Sequence, residues 1–326
     1  MYDRIVINRQ KDGCVMQIID LHCDTMLHLI DQPQLKLKKN NLSVDIYKLK
    51  AGNGMGQFFA LYIDLAKHQN ALQRCLSMLD VFYQEIEANH ADIAVARNYQ
   101  EMCVLWQAGK VAAFLTIEEG GVLQGRLENL RNFYRLGVRL MTLTWNYPNE
   151  IGYPNCEEKY RAQGLTEFGQ QVVHEMNGLG MIVDVSHLSD QGFYDVAHLS
   201  SKPFVASHSN ARAVQGHGRN LTDDMIVLLA QKGGVMGINF SGEFLGGSEM
   251  SKIDDMVAHI KHIYQVGGGD VLALGTDFDG IEYTLEIANM AQMYKLFEAL
   301  RKSGFTANQI EKIAYKNTLR VIQDCL

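Results

Sequence analysis

Proline is scarce in this chain, with four in 326 residues. Proline-rich spacers and long disordered linkers are thereby excluded. The six cysteines, at 14, 23, 75, 103, 156 and 325, form no CxxC pair. They offer neither a zinc ribbon nor a dithiol redox motif, and free thiols are expected. Lys/Arg runs are also missing, and the net charge is −7. That balance counts against nucleic acid and against an anionic membrane surface as partners. No apolar run approaches the roughly 20 residues that span a bilayer. Residues 1–17 show scattered charges and no apolar stretch of signal-peptide type, and the final residues, Arg-Val-Ile-Gln-Asp-Cys-Leu, carry no hydrophobic tail for a lipid anchor. A cytoplasmic location without membrane attachment is expected.

What is present is apolar content, 47% of residues, ample for a large core. Apolar segments at 17–22, 56–63, 111–117, 138–144, 180–185, 203–207, 233–239 and 271–276 read as strands. Amphipathic segments at 70–89, 166–178, 222–231, 252–265 and 286–302 read as helices between them. The strand segments are continuously apolar rather than alternating, as in a parallel sheet covered on both faces. Eight such units predict a (β/α)8 TIM barrel over residues 17–326, preceded by a leader or short hairpin at 1–16. A doubly wound open sheet is the alternative, disfavoured because no GxGxxG follows the first strand. Residues 145–165, rich in Tyr, Asn and Gly, form a long loop expected to act as a lid or rim.

In such barrels chemistry sits at the carboxyl ends of the strands. The first strand ends in His22-Cys23-Asp24, whose alternation sends His22 and Asp24 one way and Cys23 the other. The third ends Thr-Ile-Glu-Glu-Gly-Gly at 116–121, the fifth Asp-Val-Ser-His at 184–187, the sixth Ser-His-Ser at 207–209, and the eighth Gly-Thr-Asp-Phe-Asp-Gly at 275–280. Each histidine alone is an ordinary buried polar residue, and Asp277 alone could cap a helix. Three histidines and several carboxylates converging on one barrel mouth point instead to a metal site. Glu118 and Glu119 are adjacent and face opposite sides, so at most one reaches the mouth. Imidazole and carboxylate suit Zn2+, Mn2+ or Fe2+, and two such ions can share a bridging carboxylate and water. His28, His68, His90, His174, His198, His259 and His262 fall mostly on predicted helices or exposed loops, where surface or packing roles are expected.

These motifs, with Gly-Val-Arg-Leu-Met-Thr-Leu-Thr at 137–144 and Arg-Asn at 219–220, resemble the membrane dipeptidase (renal dipeptidase) family of the amidohydrolase superfamily, over about residues 17–322. The resemblance implies a metallo-dependent hydrolase barrel with two zinc ions. By it His22 and Asp24 hold the first, His187 and His208 hold the second, and Glu119 bridges them. Asp277 corresponds to the carboxylate that binds the substrate amine and shuttles a proton. Arg219 corresponds to the arginine that pairs with the substrate carboxylate, a match for a guanidinium fork. Where mammalian members carry a substrate-contacting histidine this chain has Trp145 followed by Asn146, as in bacterial-type members, so both are placed in the substrate site. Trp145 can donate one indole N–H but cannot do the work of an imidazolium. The expected activity is zinc-dependent cleavage of dipeptides, C-terminal D-residues included, by a metal-bridging hydroxide. The enzymatic alternative is an amidohydrolase acting on N-acyl amino acids or another small amide. A non-catalytic binding protein on a retained barrel is the reading of a different class, disfavoured by the intact ligand set. A homodimer is the expected assembly, since the outer helices of such barrels often pair.

Overall fold

The computed structural model describes residues 16–282 and 284–326. The expected leader or hairpin at 1–16 therefore lies, apart from Met16, outside the described residues.

Eight parallel strands close into a barrel: β1 (Ile18–Cys23), β2 (Gly54–Tyr62), β3 (Val111–Glu118), β4 (Val138–Thr142), β5 (Ile182–Asp184), β6 (Val205–Ala206), β7 (Val235–Ile238) and β8 (Leu272–Leu274). Neighbours in the barrel run β2-β1-β8-β7-β6-β5-β4-β3, and β3 pairs back onto β2 from Gly56↔Ala112 to Tyr62↔Glu118. Every strand predicted from the sequence is found, and the open-sheet alternative is excluded by this closure. A short strand not anticipated, Ile93–Val95, pairs with the start of β3.

The barrel interior is filled by Ile19, Leu21, Phe58, Ala112, Phe114, Leu140, Ile182, Val205, Val235 and Ala273, with Phe58 and Phe114 stacked at 4.6 Å. A second apolar layer lies between the barrel and its helices, built from residues of opposite parity such as Ala113, Leu115 and Ile117. Both strand faces are thus dry, which is why the strands read as unbroken apolar runs.

Four of the five expected helices are present with small shifts at their ends: Ala71–Ala88, Glu167–Leu179, Asp223–Gln231 and Ile253–Gly267. Side-chain caps set their starts in three cases: Asn70, Thr166 and Thr222 accept from the backbone N–H three residues on. The fifth is corrected. Only Tyr294–Lys302 of the expected 286–302 is α-helical, because Thr284–Leu285 pairs with Met250–Ser251 as a small sheet and the Asn289 side chain caps a 3-10 turn at Met290–Gln292.

The strands deliver their carboxyl ends to one mouth. In β1 the register shifts between Asp20 and Cys23, a bulge that changes side-chain parity. Leu21 packs inside the barrel, yet His22 also faces its mouth, and Cys23 turns outward with its Sγ 3.5 Å from the Phe58 carbonyl. Residues 145–165 begin in the wall of the mouth at Trp145 and Asn146 and then run beside it, bridged through Pro154 and Leu188 and tied to Asp190 and Asp195 by Arg161 and Leu165.

Candidate metal centre

Glu118, the last residue of β3, sits at the centre of the mouth. Its Oε1 lies 3.0 Å from His187 Nε2 and 3.4 Å from His208 Nε2. Its Oε2 lies 3.3 Å from His22 Nε2, which is also 3.3 Å from Asp24 Oδ2. One carboxylate therefore faces two ligand sets, His22 with Asp24 on one side and His187 with His208 on the other. Both sets, each with Glu118, bring ligand atoms within 4.8 Å of one another.

The structure places Glu118, not the expected Glu119, between the two ligand sets. Even-numbered residues of β3, Ala112 and Phe114, point into the barrel, and Glu118 continues that parity. Glu119 points away, and its carboxylate accepts from Gly121 N–H at 2.6 Å, from Trp145 N–H at 3.0 Å and from the Asn149 amide. It ties the start of the 145–165 loop to the barrel. The following glycine is required, since a Cβ at Gly120 would meet the Leu143 carbonyl at 2.5 Å. Burial nonetheless pushes the Glu119 carboxyl up to about 7 against these three donors.

The hydrogen-bond pattern shows that the cluster fits a cation. His187 Nδ1–H donates to Asn146 Oδ1 at 2.9 Å, so its Nε2 carries a lone pair. Ser207 Oγ gives its own hydrogen to Asp184 Oδ2 at 2.5 Å and so accepts from His208 Nδ1–H at 2.8 Å. His208 Nε2 is then also a lone pair. The two Nε2 atoms stand 3.0 Å apart. Burial, then Arg219, pulls the His187 imidazole down to about 4, and burial with the His22 charge holds His208 well below the ordinary histidine range. Neither takes a second proton at neutral pH, so two lone pairs and a carboxylate oxygen converge on one point. On the other side neither ring nitrogen of His22 has a hydrogen-bond partner. Burial pushes this imidazole down, but Glu118 and Asp24 together outweigh it and hold it well above the usual range. Two carboxylates around one imidazole select positive charge there. The neutral imidazoles of His187 and His208, the carboxylates, and His22 once a cation takes the place of its proton are the donor set of a divalent metal.

Asp277 lies beside the first set, its Oδ1 3.8 Å from His22 Nε2. Asn239, at the end of β7, donates to its other oxygen at 2.8 Å. Burial, then Glu118, raises the Asp277 carboxyl above its ordinary value. Arg219 is buried across the mouth, with Nε and Nη1 unpartnered and only Nη2 reaching a carbonyl, that of His208 at 3.4 Å. A cavity of about 410 Å3 joins these groups, lined by Asp24, Glu118, His187, Arg219 and Asp277 and walled by Tyr62, Trp145 and Phe244. Trp145 packs edge-on against Tyr62 at 4.9 Å and Tyr147 at 5.6 Å.

Of the expected site residues, Asp24, Trp145, Asn146, His187, Arg219 and Asp277 line this cavity, Asn146 as the acceptor that orients His187, while His22 and His208 are buried against Glu118 and Glu119 lies outside. Of the six described non-glycine residues with positive φ, Glu119, His187, Asp277 and Asp279 lie at these strand ends. Each such conformation costs about 1–3 kcal/mol and persists where surrounding structure enforces it. The strain is thus concentrated at the mouth. Tyr62, Asn239, Asp184 and Ser207 were not singled out from the sequence. Tyr62 and Asn239 lie at or just past the ends of β2 and β7, two strands whose ends offered no obvious ligand type.

A family model described as membrane dipeptidase, peptidase family M19, matches residues 14–325. A curated protein of Klebsiella pneumoniae, described as an uncharacterized protein in the pqqA 5' region, is 32% identical over 263 residues, 76% of this chain and 96% of that protein. A metallopeptidase from Rhodobacter sphaeroides, solved with a phosphinate mimic of the dipeptide L-Ala-D-Ala, superposes with a TM-score of 0.90 at 26% identity, covering 96% of this chain and 100% of that one. The structure of dipeptidase AC, a metallopeptidase of family M19, superposes with a TM-score of 0.90 at 28% identity, covering 95% and 99%. Among the described residues no helix is long and apolar enough to cross a membrane.

Proposed function

The chain belongs to the membrane dipeptidase family and is a metallo-dipeptidase, and on that footing we propose that its barrel mouth holds two zinc ions and cleaves dipeptides, those with a C-terminal D-residue included. The observation that carries the proposal is Glu118 between two ligand sets, with lone pairs of His187 and His208 converging on one of its oxygens. His22, Asp24 and Glu118 would hold one ion, and Glu118, His187 and His208 the other. Mn2+ or Fe2+ would suit the same donors. Such ions, when bound, polarise a carbonyl and lower the pKa of water toward neutrality.

The protein's own groups supply the rest. Arg219, with Nε and Nη1 unpartnered and Nη2 reaching only the His208 carbonyl at 3.4 Å, has N–H groups left to meet the substrate's C-terminal carboxylate. Asp277, held by Asn239 through one oxygen, keeps the other free beside His22. That oxygen can receive the substrate's free amine, take the proton of the attacking water and return it to the leaving amine. Asn146 keeps His187 in the tautomer that faces the site. Trp145 and Tyr62 form an aromatic wall rather than a cationic one, so no imidazolium assists from that side. The Rhodobacter sphaeroides relative, bound to an L-Ala-D-Ala mimic, supports the stereochemical part of the reading.

The test is hydrolysis of L-Ala-D-Ala, L-Ala-L-Ala and N-acetyl-L-Ala-D-Ala by protein reconstituted with zinc, with metal content measured on the same sample. Two equivalents of zinc, turnover abolished by a chelator and a strong preference for the free amine are expected. Two bound equivalents with no hydrolysis of any dipeptide would overturn the reading.

A further inference from the structure

We propose that Asp184 and Ser207 are positioning residues that lock His208 in the tautomer whose Nε2 lone pair faces Glu118 and His187. The inference rests on His208 serving as a metal ligand only for its functional consequence. The tautomer itself follows from the hydrogen bonds.

Asp184, the last residue of β5, is fully buried. Its Oδ1 accepts two backbone N–H groups, Ser186 at 3.0 Å and Ser207 at 2.8 Å. Its Oδ2 accepts two hydroxyls, Thr142 at 2.6 Å and Ser207 at 2.5 Å. Because the Ser207 hydrogen is committed to Asp184, Ser207 Oγ can only accept from His208 Nδ1, 2.8 Å away. The proton on Nδ1 leaves Nε2 bare. A carboxylate thus fixes a histidine tautomer through one intervening hydroxyl, a longer version of the carboxylate–histidine arrangement that orients metal ligands elsewhere. His187 is oriented differently, by the Asn146 amide oxygen, so the two histidines of one set have independent supports. The motifs Asp-Val-Ser-His at 184–187 and Ser-His-Ser at 207–209 thereby gain a role for residues other than their histidines.

Asp184→Asn tests this with almost no change of shape. The two fixed backbone donors at Oδ1 require the amide oxygen there, which forces the amide NH2 toward Thr142 and Ser207. Ser207 Oγ then accepts from the amide, and its hydrogen turns toward His208 Nδ1 at 2.8 Å, the nearer of its two remaining neighbours, Ser186 Oγ being 3.3 Å away. The proton of His208 is driven onto Nε2, where it opposes metal binding. In metal-free protein, long-range 1H–15N correlation of histidine-labelled samples, with His208 assigned by its loss in H208Q, should show the Nδ1-protonated tautomer in the native chain and the Nε2-protonated tautomer in D184N. In zinc competition against a chelator, D184N should bind one equivalent with native affinity and the other about 10- to 100-fold more weakly. S207A, which removes the acceptor, should weaken the same equivalent, and circular dichroism should report a native fold for both variants. An Nε2-protonated His208 in the native protein would overturn the proposal, and that readout stands even if D184N does not fold. An unchanged tautomer in folded D184N would overturn it too. A native tautomer as stated, switched in D184N, with no zinc bound by either protein, would uphold the positioning and sink the metal reading instead.

Discussion

Replacing Arg219 with Met should move activity and stability in opposite directions. The guanidinium is buried, and its Nε and Nη1 have no partner in the protein. Burial outweighs the favourable pull of Asp277 and Glu118 and holds its pKa below the ordinary arginine value. The charge is therefore a cost in the folded protein, offset only when a substrate carboxylate arrives. Met fills similar volume beside the Phe244 ring, which lies 5.4 Å from the guanidinium carbon. R219M should consequently be more stable toward urea, by about 1–3 kcal/mol, as when a buried ion is exchanged for an apolar side chain. Two charge-assisted hydrogen bonds of about 1.5–3 kcal/mol each are lost on the substrate side. At about 1.4 kcal/mol per tenfold, kcat/KM should fall roughly 10²- to 10⁴-fold. The assay compares a dipeptide with its C-terminal amide on both proteins, closing a double-mutant cycle. The amide should cost the native enzyme about what the mutation does, and combining the two should cost little more. If R219M still discriminates acid from amide as the native enzyme does, Arg219 is not the carboxylate partner. A lower urea midpoint for R219M would refute the claim that its charge is buried at a cost.

Glu118→Gln should deplete both metal positions, because the side chain faces both ligand sets, whereas Glu119→Gln should keep both ions and lose about 1–3 kcal/mol of stability from an amide N–H turned toward a backbone donor. Elemental analysis of the two variants side by side decides it, and equal depletion would contradict the geometry. Asp277→Asn should retain both ions and lower kcat by about 10²- to 10⁴-fold, the usual scale for a positioned proton-transfer group; full turnover in a metal-replete D277N would remove Asp277 from the chemistry. Asp20 is fully buried, and burial raises its carboxyl from 3.8 to about 6. The folded state therefore holds the proton more tightly than the unfolded one, and stability is lost as pH rises through this interval, by about 3 kcal/mol in metal-free protein. Asp20→Asn should abolish that slope and be the more stable protein at pH 8, with its advantage gone below pH 4. Parallel pH dependences in urea melts would show that Asp20 does not titrate as stated. An amide is tolerated there because Oδ2 faces the Thr276 hydroxyl and the Gln57 amide, both able to turn, and Gln57 Oε1 has no partner.

Much of this protein was decided by local sequence. Eight apolar runs separated by amphipathic segments leave a parallel barrel as the arrangement that buries both strand faces, and ligand-type residues following five of those runs are carried to one end whatever the packing details. His22, Asp24, His187, His208 and Asp277 were legible for that reason, as was Arg219 through the motif it shares with the family. The choice between Glu118 and Glu119 was not legible. A strand covered on both sides shows no polar alternation, so nothing in Val-Ala-Ala-Phe-Leu-Thr-Ile-Glu marks which parity points inward. Only closure of the barrel, with Phe114 stacked on Phe58 inside it, puts the even-numbered residues of β3 toward the mouth. The supports of the site belong to the same class. Asn239 reaches Asp277 across 38 positions, Asn146 reaches His187 across 41, and Asp184 reaches Ser207 across 23. Sequence chose the side chains that could bind metal and the end of the barrel where they gather. Tertiary structure chose which carboxylate stands between them and which proton each histidine keeps, because both depend on contacts between strands far apart in the chain.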